Sequence, residues 1–255
     1  MPSFIHRSHR LCYREEGKGP LLLLLPGNTA SSACYDGELN YFSSYFRTVS
    51  LDFWGTGQSD RIEGAWPEDW WEIGAQDAAA LIKHLGEKNA LVLGTSGGAI
   101  TALLMAMLFP QHVQAVVADS CIQRYPAALL RMVVAERRQR SEKQIAFWKI
   151  AHGSDWERVI EADSECLQRL SMQGDLDWTQ GRLRNIRCPV LLTASLLDRS
   201  LPDVGRKICG MAEQIPESRV LLINGGDHPL MWSRREDFFH VCIYFLKEAL
   251  KKSRE

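Results

Sequence analysis

The residue pattern best suited to covalent chemistry is the pentapeptide Gly94-Thr95-Ser96-Gly97-Gly98. It follows a short apolar run and opens an almost wholly apolar segment that ends before Pro110. A serine on so sharp a strand-to-helix turn needs small neighbours, because side chains at Gly94 and Gly98 would collide with the adjoining strand and helix. The turn lifts the hydroxyl clear of the sheet at the positive end of a helix. Ser96 is therefore a candidate nucleophile. The alternative is a glycine-rich turn whose serine only caps the helix.

His228 is the candidate base, since a serine hydroxyl is barely nucleophilic at neutral pH and imidazole titrates near that pH. It lies in the turn Gly225-Gly226-Asp227-His228-Pro229, directly after a predicted strand. None of the other six histidines has such a setting. The alternative is a loop histidine without a partner.

Asp198 is the candidate acid, because it follows another predicted strand after a short Ser-Leu-Leu link. A carboxylate there would hold His228 in the useful tautomer and stabilise the imidazolium. Asp227 adjoins His228, but successive side chains rarely face each other, so we expect Asp227 to form the turn.

Short apolar runs alternate with helical patterns along most of the chain, which predicts an α/β fold with a mostly parallel, helix-flanked sheet. The predicted strands cover residues 21–25, 47–52, 90–93, 113–119, 189–194 and 219–223, and the clearest helices cover 70–85, 96–109 and 236–251. We expect every strand except 47–52 to be buried on both faces. Weak alternation over 5–14, with a turn at 15–19, predicts an antiparallel edge hairpin that leads into 21–25.

The alternation of strand-like and helical patterns stops between Ser120 and Arg187, where no strand-like run appears. Amphipathic segments around 127–140, 142–152 and 156–172 predict a helical insertion, since long structureless loops are rare in compact domains. It falls between two strands and so can lie over their carboxyl ends, where ligands bind in open α/β sheets. We predict a core of residues 1–121 and 187–255 and a helical cap of residues 122–186.

Taken in order, these motifs resemble the α/β-hydrolase family over nearly the whole chain. An early strand ends in Pro26-Gly27-Asn28, and the next is followed by the loop from Asp52 to Ser59. The serine turn, a late acid and a late histidine come after them, in the family's order of nucleophile, acid and base. The resemblance implies an α/β-hydrolase fold with a helical cap and a hydrolytic activity.

The same resemblance implies an oxyanion hole formed by the backbone N–H groups of Gly97 and Asn28. Such preorganised donors commonly supply a large catalytic term, about 3 kcal/mol each. The family often has His-Gly where this chain has Pro26-Gly27, so the loop departs from the pattern. We expect the backbone donor to be retained, and the Asn28 side chain could add its amide.

The resemblance also keeps Asp119 open as a second candidate acid, because some relatives of this fold place the acid after the corresponding strand. In the loop from Asp52 to Ser59, Gly55-Thr56-Gly57 lacks the third glycine of a dinucleotide fingerprint and no helix opens directly. We interpret it as the family's structural loop, with Asp52 and Ser59 tying down the backbone. No cofactor is predicted.

The composition gives no sign of nucleic-acid or membrane binding. Apolar residues make up 45% and charged residues 24% of the 255, and the formal net charge is −1. The basic stretch 131–143 includes Arg137, Arg138 and Arg140, which we interpret as a solvated helix face because Glu136 and Glu142 dilute it.

The seven cysteines are scattered and odd in number, which suggests reduced thiols in a reducing compartment. None has histidines at zinc-ligand spacing, so no metal site is predicted. The first residues lack the apolar core of a signal peptide, and the longest aliphatic run, 21–25, is far too short to span a bilayer. We therefore expect a cytoplasmic protein. Its oligomeric state is left open.

Large apolar side chains in and near the predicted cap favour a small, mainly apolar substrate. The candidate pocket residues are Tyr125, Met132, Trp148, Trp156 and Met231. Many of these residues must simply hold the cap to the core.

A serine at the turn excludes the dehalogenase and epoxide hydrolase chemistries of this fold, which use an aspartate there. Hydrolysis of a carboxylic ester or lactone through an acyl-enzyme is the preferred prediction. The alternatives are a carbon–carbon bond hydrolase acting on a β-diketone and, in another class, a small-molecule receptor that binds without turnover.

Overall fold

Eight strands form the central sheet in the computed structural model, which describes residues 1–252. The ten strands of this part of the chain are β1 (Ser3–His6), β2 (His9–Glu16), β3 (Leu21–Leu25), β4 (Arg47–Leu51), β5 (Ala90–Thr95), β6 (Val113–Asp119), β7 (Arg124–Tyr125), β8 (Leu176–Asp177), β9 (Val190–Ser195) and β10 (Ser218–Ile223). The sheet order is β1-β2-β4-β3-β5-β6-β9-β10, and β7 pairs with β8 separately. Within the eight-stranded sheet, every neighbouring pair along the order β4-β3-β5-β6-β9-β10 is parallel.

Helices cover both faces of this sheet. Within the described residues they are α1 (Asp36–Ser43), α2 (Trp70–His84), α3 (Gly97–Leu108), α4 (Ala127–Arg138), α5 (Glu142–His152), α6 (Trp156–Met172), α7 (Val204–Ala212), α8 (Leu230–Ser233) and α9 (Arg235–Lys252). Alternate residues of β3 enter opposite clusters: Leu23 belongs to the cluster that includes residues of α2, α3 and α7, and Leu24 belongs to the cluster that includes residues of α1 and α9. Residues 253–255, which the predicted core includes, lie outside the described residues.

The parallel register brings the carboxyl ends of the central strands to one edge of the sheet. Leu25 at the end of β3 pairs with Gly94, and Thr95 at the end of β5 pairs with Asp119. On the other side of β6, Asp119 pairs with Thr193. The loops that follow these strands therefore meet at the same edge.

The N-terminal hairpin differs from its prediction. Its tight turn lies at Arg7 and Ser8, which have φ values of 50° and 65°, and β2 then pairs antiparallel with β4. The segment 15–19 instead carries the chain across to β3. Of the two turn residues only Ser8 is of a type common in turns, so composition gave a weak signal for this turn.

Strand β10 was predicted to be buried on both faces, and this was wrong. It is the last strand of the sheet and pairs only with β9. Arg219 and Val220 are exposed, and the other residues of β10 are only partly buried. β10 is an edge strand with both faces partly covered: Leu221 and Ile223 pack against the cluster that includes residues of α9, and Leu222 packs against the cluster that includes residues of α7.

The segment between β6 and β9 contains α4, α5 and α6, which we call the insertion helices. Their bounds lie close to the predicted amphipathic segments. The two-residue strands β7 and β8 also pair in this segment, antiparallel and with Tyr125 opposite Leu176, a feature too short to give a sequence signal.

His152 at the end of α5 joins the insertion helices to the core. Its Nδ1 accepts the N–H of Gly57 at 3.0 Å, and its Nε2 lies 3.1 Å from the carbonyl oxygen of Thr29. One nitrogen must accept and the other donate, so the bonded ring is the neutral tautomer. The side chain is buried, and burial lowers the pKa of His152 to about 4.

This depressed pKa makes the stabilising effect of His152 dependent on pH. As the pH falls, the unfolded chain takes up a proton near the ordinary pKa of 6.5, whereas the folded chain does so only near about 4. The neutral ring therefore contributes its full stabilisation above pH 6.5, and this contribution is lost as the pH falls to about 4. We expect the stability advantage of the wild type over His152→Asn to shrink across this window by up to about 3 kcal/mol.

Urea unfolding of both proteins at several pH values measures this difference, and subtracting one curve from the other cancels the titration of other groups. Asparagine keeps an acceptor for the N–H of Gly57. A stability difference that stays constant from pH 7 to pH 4 would contradict the neutral, buried assignment of the ring.

Candidate active site

Ser96 lies on the turn between β5 and α3 with φ 53° and ψ −120°, a conformation that non-glycine residues rarely adopt. A Cβ atom on Gly94 would lie 2.1 Å from the carbonyl oxygen of Gly98, and one on Gly98 would lie 2.0 Å from that of Leu25. Both positions therefore require glycine, for the reason inferred from the sequence. The turn presses the start of α3 against the end of β3.

Two backbone N–H groups beside Ser96 are free to bind a ligand. Gly97 is the first residue of α3, so its N–H has no intrahelical acceptor. Within residues 1–252 the N–H of Asn28 also makes no hydrogen bond. Both residues line the same cavity as Ser96.

The side chain of Asn28 is already engaged. Its Oδ1 accepts the indole N–H of Trp71 at 3.0 Å, and its Nδ2 donates to Asp163 Oδ1 at 2.7 Å. The amide passes so close to Gly97 that a Cβ there would lie 1.8 Å from Oδ1. The amide suggested as an extra oxyanion donor is thus held between Trp71 and Asp163.

Asp198 and His228 meet as predicted, with Oδ2 of the carboxylate 2.8 Å from Nδ1 of the imidazole. The Asp198 side chain is fully buried, and its other oxygen accepts the N–H groups of Ser200 and Leu201 at 2.8 and 3.0 Å. These bonds hold the carboxylate facing the ring. The ring in turn has Nδ1 occupied and Nε2 available for another group.

The histidine loop is fastened to neighbouring strands. Ser195 Oγ donates to the carbonyl oxygen of Gly225 at 3.0 Å, which ties the end of β9 to the turn after β10. Asp227 accepts the N–H of His228 at 2.9 Å and pairs with Arg199. That hydrogen-bonded guanidinium lowers the pKa of Asp227. Asp227 is therefore a turn former, as expected from its position.

Asp119, the rival acid, makes no hydrogen bond to His228 within the described residues. Its Oδ1 accepts the Thr193 hydroxyl at 2.7 Å and its Oδ2 accepts the N–H of Met231 at 3.0 Å. Burial raises the pKa of Asp119 to about 6, although these hydrogen bonds oppose the shift. Its contacts support the segment just after His228.

Ser96 and His228 both line the same cavity. Within residues 1–252 the Ser96 hydroxyl makes no hydrogen bond, so the predicted bond between Ser96 and His228 is not formed in this structure. Such contacts are often long in unliganded sites and shorten when the substrate binds.

The cavity has a volume of about 280 Å³, enough for a small molecule. Aromatic and aliphatic side chains supply most of its lining, among them Trp71, Tyr125, Leu129 and Trp148. Glu136 and Arg137 also line it. The lining is therefore mainly apolar, with a charged patch contributed by α4.

Three predicted pocket residues lie elsewhere, contrary to the prediction. Met132 is 44% exposed on the outer face of α4. Trp156 is buried against Trp148, at 5.5 Å between ring centroids, and so supports a cavity residue from behind. Met231 is fully buried in the cluster formed with α9, because it lies on the short helix α8, which packs against α9.

Arg137 and Asp163 were missed by the sequence analysis. Arg137 was interpreted as part of a solvated face, but its side chain is only 12% exposed and its guanidinium donates to Asp163 Oδ2. The sequence did contain a signal that both side chains are buried. Arg137 lies seven residues after Leu130, on the apolar face of α4, and Asp163 lies between Ile160 and Leu167 on that of α6.

The loop after β4 is structural, as inferred. Asp52 accepts the N–H groups of Ser32 and Gln58 at 2.7 and 2.8 Å, and Ser59 donates to the carbonyl oxygen of Asp52 at 2.6 Å. Burial raises the pKa of the Asp52 carboxyl, and these donors oppose the rise.

Neither a metal-binding cluster nor a membrane-crossing helix is found among the described residues. No group of three or more histidine, cysteine, aspartate or glutamate side chains within residues 1–252 could hold a metal ion. No helix in that range is long and apolar enough to cross a bilayer.

Comparison with known proteins decides the family. A model of the alpha/beta hydrolase family matches residues 22–241. The chain belongs to that family. The predicted fold class is thereby confirmed, and this α/β hydrolase also superposes on the enol-lactonase of Burkholderia xenovorans LB400 with a TM-score of 0.75. That match covers 96% of this chain and 100% of the other at 17% identity, which shows the fold alone.

Two relatives extend the comparison. The human protein named serine hydrolase BPHL is 26% identical over 247 residues, covering 93% of this α/β hydrolase and 83% of the human protein. A 2-(acetamidomethylene)succinate hydrolase from Mesorhizobium japonicum is 36% identical over 107 residues, which are 41% of this chain and only 37% of that protein. These likenesses support a hydrolase of the α/β type.

The packing at the serine turn makes a direct prediction about stability. Gly98→Ala should destabilise the α/β hydrolase by about 2 kcal/mol or more, because the new methyl meets the rigid backbone of β3. Gly210→Ala is the matched control, since nothing lies within 4 Å of a Cβ there and the residue is inside α7. It should be neutral or slightly stabilising.

Denaturant unfolding of the two variants against the wild type gives both values. Equal stability of Gly98→Ala and Gly210→Ala would show that the turn can shift away from β3.

Proposed function

We propose that this α/β hydrolase cleaves a small, largely apolar carboxylic ester or lactone through an acyl-enzyme formed on Ser96. The observation that carries the proposal is the 2.8 Å hydrogen bond between Asp198 and His228, whose ring lines the same cavity as Ser96 on its strained turn. The three side chains come from loops after β5, β9 and β10. The register of the sheet brings these loops to one edge.

In the proposed acylation step, Ser96 Oγ attacks the carbonyl carbon while His228 Nε2 takes the hydroxyl proton. Asp198 keeps Nδ1 protonated and stabilises the positive ring that forms. The tetrahedral intermediate collapses when the alkoxide leaves and takes the proton back from Nε2. The products of this step are the free alcohol and an ester of Ser96, and in a lactone both stay in one molecule.

In the proposed deacylation step, water takes the place of the alcohol. His228 removes a proton from water as the oxygen attacks the acyl carbon, and it returns a proton to Ser96 Oγ as the carboxylic acid leaves. The buried Asp198 keeps the same orientation in both steps, since its second oxygen is fixed by two backbone N–H groups.

The oxyanion of each tetrahedral intermediate is assigned to the backbone N–H groups of Gly97 and Asn28. Donors fixed in advance stabilise developing charge without the cost of reorganising solvent. The N–H of Gly97 adds the positive end of α3, which faces the same charge.

The lining of the cavity supports the proposed substrate class. Its aromatic and aliphatic walls suit an apolar acyl or alcohol group, and its volume of about 280 Å³ suits a small one. In this proposal the insertion helices act as the cap over the site, and the partner is a small-molecule substrate.

The serine mechanism predicts that Ser96→Ala abolishes both turnover and covalent labelling. We expect the wild type to hydrolyse short p-nitrophenyl esters or simple lactones with many turnovers, and to be labelled by a fluorophosphonate probe at Ser96 alone. Mass spectrometry of the labelled peptide identifies the site. Labelling without turnover on a broad ester and lactone panel would contradict the enzyme and favour a receptor.

The assignment of the acid predicts unequal effects of two substitutions. Asp198→Asn should lower kcat by about 10⁴-fold, because the amide favours the wrong tautomer of His228. Asp119→Asn should lower kcat by less than about tenfold, since an amide oxygen can still accept the N–H of Met231.

Steady-state kinetics on the best ester measure both effects, with circular dichroism to confirm folding. A severe loss in Asp119→Asn beside a mild one in Asp198→Asn would place the acid at the end of β6 instead.

A further inference from the structure

We infer that Asp163 of α6 is a positioning residue for the oxyanion hole, acting through the side-chain amide of Asn28; this inference rests on the proposed function. Asp163 lies in the insertion, 135 residues along the chain from Asn28, and hydrogen-bonds it at 2.7 Å. The insertion helices therefore reach the residue whose backbone N–H is assigned to the oxyanion.

The orientation of the Asn28 amide is dictated by its two partners. The indole N–H of Trp71 can only donate, so it must face Oδ1, and the Asp163 carboxylate can only accept, so it must face Nδ2. A reversed amide would oppose donor to donor on one side and acceptor to acceptor on the other. The amide is fixed in position and in polarity.

Asp163 is itself fixed from the other side. Its second oxygen accepts the guanidinium of Arg137, and its side chain is only 3% exposed. A buried carboxylate with both oxygens bonded has no freedom to turn. The chain of contacts Trp71–Asn28–Asp163–Arg137 thus spans from α2 of the core to α6 and α4 of the insertion.

The amide lies directly over the first residue of α3. A Cβ on Gly97 would lie 1.8 Å from Asn28 Oδ1, so the side chain fills the space that any larger residue would need. Fixing this amide holds the Asn28 backbone beside Gly97, the second assigned donor. A displacement of about 1 Å at such a site can cost about 100-fold in rate.

Three substitutions test the inference. Asp163→Ala removes the acceptor, and Asp163→Asn keeps the shape but presents an amide to two donors, so one contact must fail. Glu161→Ala is the matched control: Glu161 is an exposed residue of α6, and its ion pair with Arg140 includes none of Asn28, Asp163 and Arg137.

We expect both Asp163 variants to lower kcat by about 10- to 100-fold on a p-nitrophenyl ester, with KM changed by less than about threefold. Phenylboronic acid, which forms a tetrahedral adduct with an active-site serine, should bind more weakly by a similar factor. Glu161→Ala should leave both unchanged. A purely structural role would lower the melting temperature without this separation of kcat from KM.

A double-mutant cycle with Trp71→Phe gives the sharpest readout. Without the indole donor the Asn28 amide can reverse, so that its oxygen accepts from the new amide at position 163. Asp163→Asn should therefore cost much less in kcat in the Trp71→Phe background than in the wild type. Equal losses in the two backgrounds would overturn the inference.

The remaining outcomes also distinguish between failure of this inference and failure of the proposed function. A folded Asp163→Asn whose kcat and boronate affinity lie within twofold of the wild type overturns the inference alone, provided that the fluorophosphonate probe labels Ser96. A wild type that is neither labelled nor active on the ester and lactone panel overturns the proposed function and this inference with it. If Asp163→Ala fails to fold, Asp163→Asn and the cycle carry the test.

Discussion

The close approach of the serine turn to the end of β3 is the constraint on which the rest of the site depends. The start of α3 and the backbone of Leu25 come so near that only glycine fits at position 98. This approach sets Ser96 and the N–H of Gly97 beside the loop that contains Asn28. The acid and histidine loops then need only follow the next strands of the same parallel sheet to reach that edge.

Much of this arrangement could be predicted because it depends on local patterns. Buried strands, the proline after α3 and the glycines around Ser96 each reflect a requirement of a few adjacent residues. Asp198 and His228 were recognisable because each follows an apolar strand, and parallel strands end at one edge. The prediction failed for β10, since an apolar run does not reveal whether a second strand lies beyond it.

The polar contacts of the insertion could not be predicted in the same way. Asp163 bonds Asn28 and His152 bonds Gly57, and the partners are 135 and 95 residues apart. The sequence could show only that Arg137 and Asp163 interrupt apolar helix faces, which marks a buried polar group without naming its partner. The turn at Arg7 could not be predicted for a related reason, because its backbone geometry is imposed by the pairing of strands in the sheet.

The edge position of β10 has a consequence for the durability of activity. This strand exchanges backbone hydrogen bonds with β9 alone, so opening it breaks half as many ladders as opening a central strand. The loop that holds His228 follows β10 directly. Ser96 instead follows β5, which has a neighbouring strand on each side. In the proposed mechanism, partial opening at this border would move His228 away from Ser96 while most of the core stayed folded, so heat or denaturant would abolish activity before the whole chain unfolded.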